Sequence, residues 1–250
     1  MSNENNRFIN LGFNDFKELA NDESLSKYEK IGFPNSYRSG KEGKIFNDIL
    51  SKLTRLKASG KTVVDIGPGC SELPELLINY CEDHNHSLVL IDSEEMLRHL
   101  PDKPGVLKVP AMYPNCPQVI GELKEGVDAI LCYSVLQYVL LDVAFFRFLD
   151  SSLSLLAPGG QFLIGDIPNI SKRKRFFSSK AGILFHQEFM GTVEPPVVTF
   201  NDIEHDQIDD SIIYMIINRA RLQGFDAYIL PQHPDLPMSN RREDVLIVRP

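Results

Sequence analysis

The sequence has few cysteines, no long apolar run and no excess of positive charge. Its four cysteines form no CxxC pair and have no histidine at the spacing of zinc ligands, so we expect free thiols in a reducing compartment and no metal site. No apolar stretch approaches the roughly 18 residues that cross a bilayer, and the first residues lack the pattern of a signal peptide. We therefore expect a cytoplasmic protein without a membrane span.

The charge balance is acidic. Asp and Glu number 34 against 26 Lys and Arg, which gives a formal net charge of -8. Such a balance disfavours binding to nucleic-acid phosphates unless basic residues are concentrated locally, so we expect no nucleic-acid partner. A hydrophobic content of 43% over 250 residues is ordinary for a globular α/β domain. The oligomeric state stays open.

Apolar strand patterns alternate with helical patterns from Thr62 onward. The predicted strands are 62–66, 88–91, 106–109, 127–132 and 161–164. Helices are predicted at 72–81, 94–100, around Val119, and at 141–156. Because these strands are apolar on both faces, they are typical of a parallel sheet that is covered by helices.

The two ends of the chain depart from this alternation. We expect an N-terminal helical or lid segment at 1–58, with an amphipathic helix at 41–56, followed by a core domain at 59–250. An insertion on the substrate side is predicted at about 168–205. The last predicted elements are a helix and two strands that could close the sheet as a hairpin, at 208–223, 226–230 and 244–248.

A glycine turn follows the first strand. Residues 63–71 read Val-Val-Asp-Ile-Gly-Pro-Gly-Cys-Ser, in which Gly67 and Gly69 permit a tight turn and a close approach of backbone to a ligand. The position that is glycine in a dinucleotide fingerprint is Glu72 here, and Asp65 would repel a pyrophosphate at this turn. The charge instead favours a cationic nucleoside without phosphate, such as S-adenosylmethionine.

A second acid, Asp92, ends the second predicted strand. An acid at this place can accept both hydroxyls of a ribose, in methyltransferases and dehydrogenases alike. Taken alone it would also suit the start of a helix, because Ser93 and two glutamates follow. Together with the glycine turn, it indicates an adenosine ligand.

These features together resemble the class I S-adenosylmethionine-dependent methyltransferases. The resemblance rests on residues 63–71, Asp92, the strand leading to Tyr133 and Ser134, and the Leu-Ala-Pro-Gly-Gly run at 156–160. It implies an α/β, Rossmann-like sheet of seven strands in the order 3-2-1-4-5-7-6, mostly parallel with an antiparallel C-terminal strand and helices on both faces. It also implies S-adenosyl-L-methionine above the carboxyl ends of the first, second and fourth strands, with S-adenosyl-L-homocysteine as product.

The resemblance implies the cofactor-binding residues as well. These are Asp65, Gly67, Pro68, Gly69, Asp92, Ala111, Met112, Tyr133 and Ser134. Two positions depart from the family pattern. Ser71 replaces the last glycine of the loop and could cap the next helix. No acid follows the third strand at 109–114, so Ala111 and Met112 are expected to offer backbone groups and an apolar wall to the adenine.

An oxygen acceptor would also need a general base, for which His186 and Asp166 are the candidates, ahead of His205 and Asp142. A histidine flanked by aromatic residues, as His186 is, is often structural. Tyr37, Arg38 and Gln137 are candidate acceptor contacts, since in the family these regions line the mouth of the site. The basic run at 172–175 either binds an anionic substrate or is a solvated surface.

The acceptor is predicted from a diffuse similarity. Residues 31–38 and the Asn-Arg-Arg-Glu-Asp block at 240–244, in which we expect surface ion pairs, resemble bacterial methyltransferases of surface-sugar biosynthesis. We therefore expect a small-molecule or sugar-type acceptor. Residues 132–135 read Cys-Tyr-Ser-Val and lack the element typical of base-methylating enzymes. The alternatives are an NAD-dependent dehydrogenase or epimerase, which would share Asp92, and a non-catalytic S-adenosylmethionine-binding subunit.

Overall fold

The computed structural model describes residues 11–202 and 204–250, in which seven strands form one mixed sheet. They are β1 (Thr62–Ile66), β2 (Ser87–Asp92), β3 (Val106–Pro110), β4 (Val127–Tyr133), β5 (Leu156–Pro168), β6 (Asp226–Pro231) and β7 (Arg242–Val248). Their order is β3-β2-β1-β4-β5-β7-β6, with β1 to β5 paired in parallel and β7 antiparallel to both of its neighbours. The strand order that the resemblance implied is confirmed.

Helices cover the sheet on both sides. Four come before it: α1 (Phe13–Asn21), α2 (Lys27–Lys30), α3 (Asn35–Arg38) and α4 (Glu42–Lys52), after which a 3-10 turn spans Thr54–Lys57. The others are α5 (Glu72–Asp83), α6 (Glu94–Leu97), α7 (Pro117–Leu123), α8 (Leu136–Asp142), α9 (Phe145–Leu155), α10 (Ile170–Phe177), α11 (Lys180–Met190) and α12 (Asp210–Leu222). Among the described residues, no helix is long and apolar enough to cross a membrane.

The core consists of one apolar layer on each face of the sheet. Alternate residues of a strand point to opposite faces, so Val64 belongs to the layer that includes Phe148 of α9, and Val63 to the layer that includes Leu77 of α5. All four of these residues are buried because helices pack on both faces of the parallel strands. This two-sided burial explains the continuous apolar runs of the sequence.

Two predicted elements differ in the structure. The single helix predicted at 141–156 is wrong: Val143 is extended (φ -130, ψ 149) and separates α8 from α9. The helix ends there, next to Asp142, whose carboxylate accepts a hydrogen bond from the backbone N–H of Phe13 in α1. The run at 156–160, predicted to precede the fifth strand, is already part of β5. In the insertion, 168–205, the regular elements are α10 and α11.

The N-terminal segment, predicted at 1–58, is helical in its described part, and residues 1–10 of it lie outside the described residues. Helix α1 packs on α6 beside the sheet, where Lys17 of α1 and Glu95 of α6 lie 3.5 Å apart. The carboxyl ends of β1 and β2 therefore lie near this segment.

The end of β4 packs tightly against β5 at Gly165. Tyr133 and Gly165 are register partners, and a Cβ added at Gly165 would overlap the Tyr133 ring. We expect Gly165→Ala to lower the free energy of unfolding by about 1–3 kcal/mol, because the buried ring must shift to make room. Gly121→Ala is the matched control, since Gly121 lies in α7 with no atom within 4 Å of an added Cβ. Urea denaturation would measure both, and equal stability of the two variants would contradict this packing.

Candidate functional site

A cavity lies at the carboxyl ends of β1, β2 and β4. Its empty space is about 930 Å³, including space open to solvent. Its floor is formed by residues 66–69 after β1, by Asp92, and by residues 111–113 after β3. The last part of its wall comes from residues 133–139 of β4 and α8. In parallel sheets, ligands characteristically bind at this edge.

The turn after β1 has no room for side chains. Gly67 and Gly69 have φ values of +70° and +67°, which favour glycine. A Cβ added at Gly67 would lie 2.8 Å from Val135 Cγ2, and one at Gly69 would lie 2.6 Å from Ile31 Cγ2. The Gly67 N–H donates to the Ile91 carbonyl at 2.9 Å. The turn is therefore fixed both by its backbone and by its neighbours.

Ser71 caps the helix that follows the turn, as the sequence indicated. Its hydroxyl oxygen accepts the Leu73 N–H at 3.4 Å at the start of α5, and the hydroxyl donates to Glu42 Oε2 at 3.0 Å. Glu42 is completely buried, and this burial raises the pKa of its carboxyl group. Glu42 could not be placed beside the turn from the sequence, because it comes from α4.

Two more carboxyl groups lie at the turn. Asp92 lines the cavity and accepts the N–H groups of Gly69 (2.9 Å) and Ser93 (2.7 Å), yet burial raises its pKa to about 6. Burial, followed by the charge of Asp92, raises the pKa of Asp65 to about 8. Asp65 is not on the cavity wall; it precedes Ile66, which is. This end of the sheet thus favours a positively charged ligand.

The other predicted cofactor residues fall on the cavity wall. Pro68, Ala111, Met112, Tyr133 and Ser134 all line it. The N–H of Ala111 donates to the Asp92 carbonyl at 2.9 Å, which ties the end of β3 to the end of β2. The structure therefore brings together the residues that the resemblance placed around one ligand, with Asp65 beside rather than on the wall.

The N-terminal segment covers the cavity. Its cavity-lining residues are Phe13, Phe16, Ile31, Phe33 and Arg38. Phe13 N–H donates to Asp142 Oδ2 at 2.8 Å, and the Phe16 ring packs edge-on against Tyr138 with centroids 4.7 Å apart. The sequence predicted a lid here but gave no signal for which aromatic residues would reach the cavity, because these contacts join distant parts of the chain.

Asp166 lies in a buried cluster of charged groups at the end of β5. It has a φ of +57° within the irregular pairing between Ile164 and Ile167 of β5 and β7. Its Oδ2 accepts hydrogen bonds from Arg38 (3.3 Å) and Arg242 (2.8 Å), and also from the Ser134 hydroxyl. We call Arg38, Ser134, Asp166 and Arg242 the Asp166 cluster. It connects the covering segment, β4, β5 and β7.

The residues that support this cluster were not identified from the sequence. Asp244 is completely buried, accepts the Asp166 N–H at 2.8 Å, and pairs with Lys52 at 2.7 Å. Gln232 donates to Asp166 and Asp244 at 3.3 and 3.1 Å. The surface ion pairs expected at 240–244 are therefore wrong for Arg242 and Asp244, because β7 carries both into the protein. The sequence signal that could have identified Arg242 and Asp244 is the run of polar residues at 240–244.

The predicted acceptor residues divide between two places. Arg38 lines the cavity, whereas Tyr37 and His186 line a second, wider groove, formed by α3, α10, α11 and the loop 234–241. Gln137 is not on the cavity wall; its side-chain amide donates to the Ser134 carbonyl at 2.8 Å. Among the described residues, no three His, Cys, Asp or Glu side chains are grouped as metal ligands would be.

Comparison with known proteins gives structural likenesses only. No family model matches the sequence, and no curated protein matches it significantly. The plantazolicin methyltransferase BpumL, solved with a desmethylPZN analogue and SAH, is 13% identical with a TM-score of 0.58, over 94% of this chain and 98% of that one. A SAM-dependent methyltransferase from Aquifex aeolicus is 14% identical with a TM-score of 0.53, over 89% and 96%.

The name of a third similar protein specifies carbon as the methylated atom. The CurJ carbon methyltransferase is 13% identical with a TM-score of 0.55, over 94% of this chain and 64% of that one. At such low identity these likenesses establish the fold and leave the acceptor open. The chain has the fold of the class I S-adenosylmethionine-dependent methyltransferases, as its motifs indicated.

Proposed function

We propose that the chain is a methyltransferase that binds S-adenosyl-L-methionine in the cavity. The observation that carries this proposal is the pair of buried carboxyl groups, Asp65 and Asp92, beside a glycine turn that admits no side chain. No cationic side chain pairs with either of them among the described residues. A ligand with a sulfonium and an ammonium group would supply the missing positive charge, whereas the pyrophosphate of NAD would add negative charge.

The residues present fit this cofactor. Asp92 would accept the ribose hydroxyls, and the turn from Gly67 to Gly69 would lie against the ligand with its backbone. Ala111 and Met112 would form the adenine wall, while Tyr133 and Ser134 would line the methionine side. Asp65 lies beside the wall, and a cationic ligand would favour its ionised form. The fold shared with methyltransferases crystallised with SAH supports the same assignment.

We propose an oxygen of a small-molecule or sugar-type compound as the acceptor. S-adenosylmethionine supplies, when bound, a methyl carbon already activated by its positive sulfur, so the transfer is an in-line displacement. The chain must then align the acceptor, exclude water and remove a proton. The covering aromatic residues Phe13 and Phe16 suit the exclusion of water from the cavity.

The two proposed bases have different surroundings. Asp166 Oδ2 is held by two guanidinium groups and a hydroxyl within the Asp166 cluster. His186 lies on the groove with its ring 6.3 Å from that of Phe177. This favours His186 as the base and Asp166 as a positioning residue that holds Arg38 and Ser134 at the cavity.

The raised pKa of Asp65 predicts a pH-dependent stability. Between the ordinary carboxyl pKa of about 4 and the folded-state pKa of about 8, the folded protein holds a proton that the unfolded chain releases. Without ligand, the free energy of unfolding should therefore fall as pH rises through this window, by an amount on the order of a few kcal/mol. Urea denaturation of wild type and Asp65→Asn at pH 5.5 and 8.5 measures this. A loss equal in both proteins would refute the assignment.

The cofactor itself is tested by calorimetric titration with S-adenosylmethionine, S-adenosylhomocysteine and NAD. We expect the first two to bind and Asp92→Ala to weaken that binding by about 1–3 kcal/mol, because the ribose loses hydrogen bonds to a charged group. Asp226→Ala is the matched control, since Asp226 is exposed at the start of β6. Binding of NAD without binding of S-adenosylhomocysteine would overturn the proposed function.

The role of Asp166 is tested through stability. We expect Asp166→Asn to lower the free energy of unfolding by about 3–5 kcal/mol, because Arg38 and Arg242 would lose their shared partner in a buried place. Asp150→Asn is the control: its ion pair with Arg219 is about 40% exposed and should contribute little to stability. Chemical denaturation measures both. An Asp166→Asn protein as stable as this control would instead favour Asp166 as the base.

A further inference from the structure

The groove carries positive charge on a protein whose net charge is -8. Its charged lining residues are Lys41, Arg173, Lys174, Arg241, Glu204 and Asp235. Lys174 pairs with Glu204 at 2.9 Å, and Asp235 lies 3.5 Å from Lys44, so both acids already face a cation. The groove therefore retains an excess of positive charge where the rest of the surface is acidic.

Arg173 differs in its contacts from the other three residues of the basic run at 172–175. Lys172 donates to the Arg242 carbonyl, Lys174 pairs with Glu204, and Arg175 pairs with Asp210. These three contacts join α10 to β7, to residue Glu204 of the insertion, and to α12. Within the described residues, Arg173 has no carboxylate partner and lines the groove, with its guanidinium carbon 5.6 Å from the Phe177 ring centroid.

Arg241 lines the same groove and, like Arg173, has no carboxylate partner among the described residues. Its carbon lies 5.9 Å from the centroids of both Phe177 and Phe185, and its Nη1 donates only to the neighbouring Asn240 amide oxygen at 3.1 Å. Burial, followed by the charge of Arg242, lowers the pKa of Arg241. A half-buried cation that lacks a counter-charge is costly, and an anionic ligand would remove this cost.

An aromatic surface lies beside these two arginines. The rings of Phe185 and Phe189 are nearly parallel, at 6° with centroids 6.0 Å apart, and both belong to the wall of the groove. Phe189 is 69% exposed, which is unusual for so large an apolar side chain. Such a surface suits a flat or ring-shaped group, since aromatic side chains stack with rings.

The groove adjoins the cavity through two pairs of consecutive residues. In α3, Tyr37 lines the groove while Arg38 lines the cavity. At the start of β7, Arg241 lines the groove while Arg242 binds Asp166 in the cluster. A molecule anchored in the groove would therefore lie beside the cofactor cavity, with His186 on the same surface.

We propose that the groove binds the methyl acceptor as a phosphorylated ring compound, with the phosphate between Arg173 and Arg241 and the ring against Phe185 and Phe189. This inference rests on the proposed function and names the acceptor class of the same site. Guanidinium groups from two separate elements suit the several oxygens of a phosphate, which both can contact. The phosphate belongs either to a nucleotide-linked compound or to a simple phosphorylated ring.

Calorimetric titration of the full chain tests the groove without an activity assay. The probes are uridine diphosphate and phenyl phosphate, with uridine and phenol as their uncharged counterparts. The test variant is Arg173→Gln/Arg241→Gln, and the control is Lys124→Gln/Arg147→Gln, which removes two exposed positive charges away from the groove. Circular dichroism establishes that each variant is folded.

We expect wild type to bind at least one phosphate probe more tightly than its uncharged counterpart. The groove variant should bind it at least about tenfold more weakly, and the control should stay within about twofold of wild type. Binding of uridine diphosphate alone indicates a nucleotide-linked acceptor, whereas binding of phenyl phosphate indicates that a simple phosphorylated ring suffices. Failure of both probes to bind wild type, or equal binding by the two variants, overturns the proposal.

The same proteins distinguish this inference from the proposed function. The groove variant keeps all the cavity residues, so its affinity for S-adenosylhomocysteine should equal that of wild type. One possible result is that neither wild type nor any variant binds S-adenosylhomocysteine, while the groove variant alone fails to bind the phosphate probe. This result would support the anion site and overturn the proposed cofactor. If the cofactor binds and the phosphate probes do not, the acceptor class proposed here falls alone.

Discussion

The shared carboxylate of Asp166 joins parts of the chain that the sheet alone would leave apart. It accepts hydrogen bonds from Arg38 of the N-terminal segment and from Arg242 of β7, at the place where β5 departs from regular pairing. Both arginines are largely buried; Arg38 also lies 3.8 Å from Glu42, whereas Asp166 is the carboxylate partner of Arg242 in the described part of the chain. Because Arg38 lies in this cluster, residues 31–38 extend across the glycine turn, and Ile31 fills the space that Gly69 leaves empty. The interaction thus holds the later part of the covering segment in place, while α1 is held by its own contacts with Asp142 and Tyr138.

The cluster also separates two chemical environments. On one side, the buried carboxyl groups of Asp65 and Asp92 favour a cationic ligand at the carboxyl ends of the parallel strands. On the other, Arg173 and Arg241 favour an anion beside exposed aromatic rings. A reaction between a positively charged methyl donor and an anionic acceptor would use both sides, with opposite charges that prevent either ligand from occupying the wrong place.

Local patterns were sufficient to predict much of the fold and the floor of the cavity. The apolar runs identified β1 to β5, and the Asp-x-Gly-x-Gly spacing placed the glycine turn where the structure has it. The break at Val143 and the burial of Asp244 could not be predicted in this way. The first accompanies a contact between Asp142 and Phe13, and the second depends on Lys52, so both involve residues more than a hundred positions away in sequence. The groove on the acceptor side could not be predicted either, because it is formed by residues from distant parts of the chain.

A crystal structure of the full chain with S-adenosylhomocysteine would test the proposed cofactor site most directly. We expect the ribose hydroxyls to lie within hydrogen-bond distance of Asp92, the adenine to pack beside Ala111 and Met112, and Ile31 still to cover the Gly67–Gly69 turn. A complex in which the ligand binds away from this turn, or with its ribose out of reach of Asp92, would contradict it.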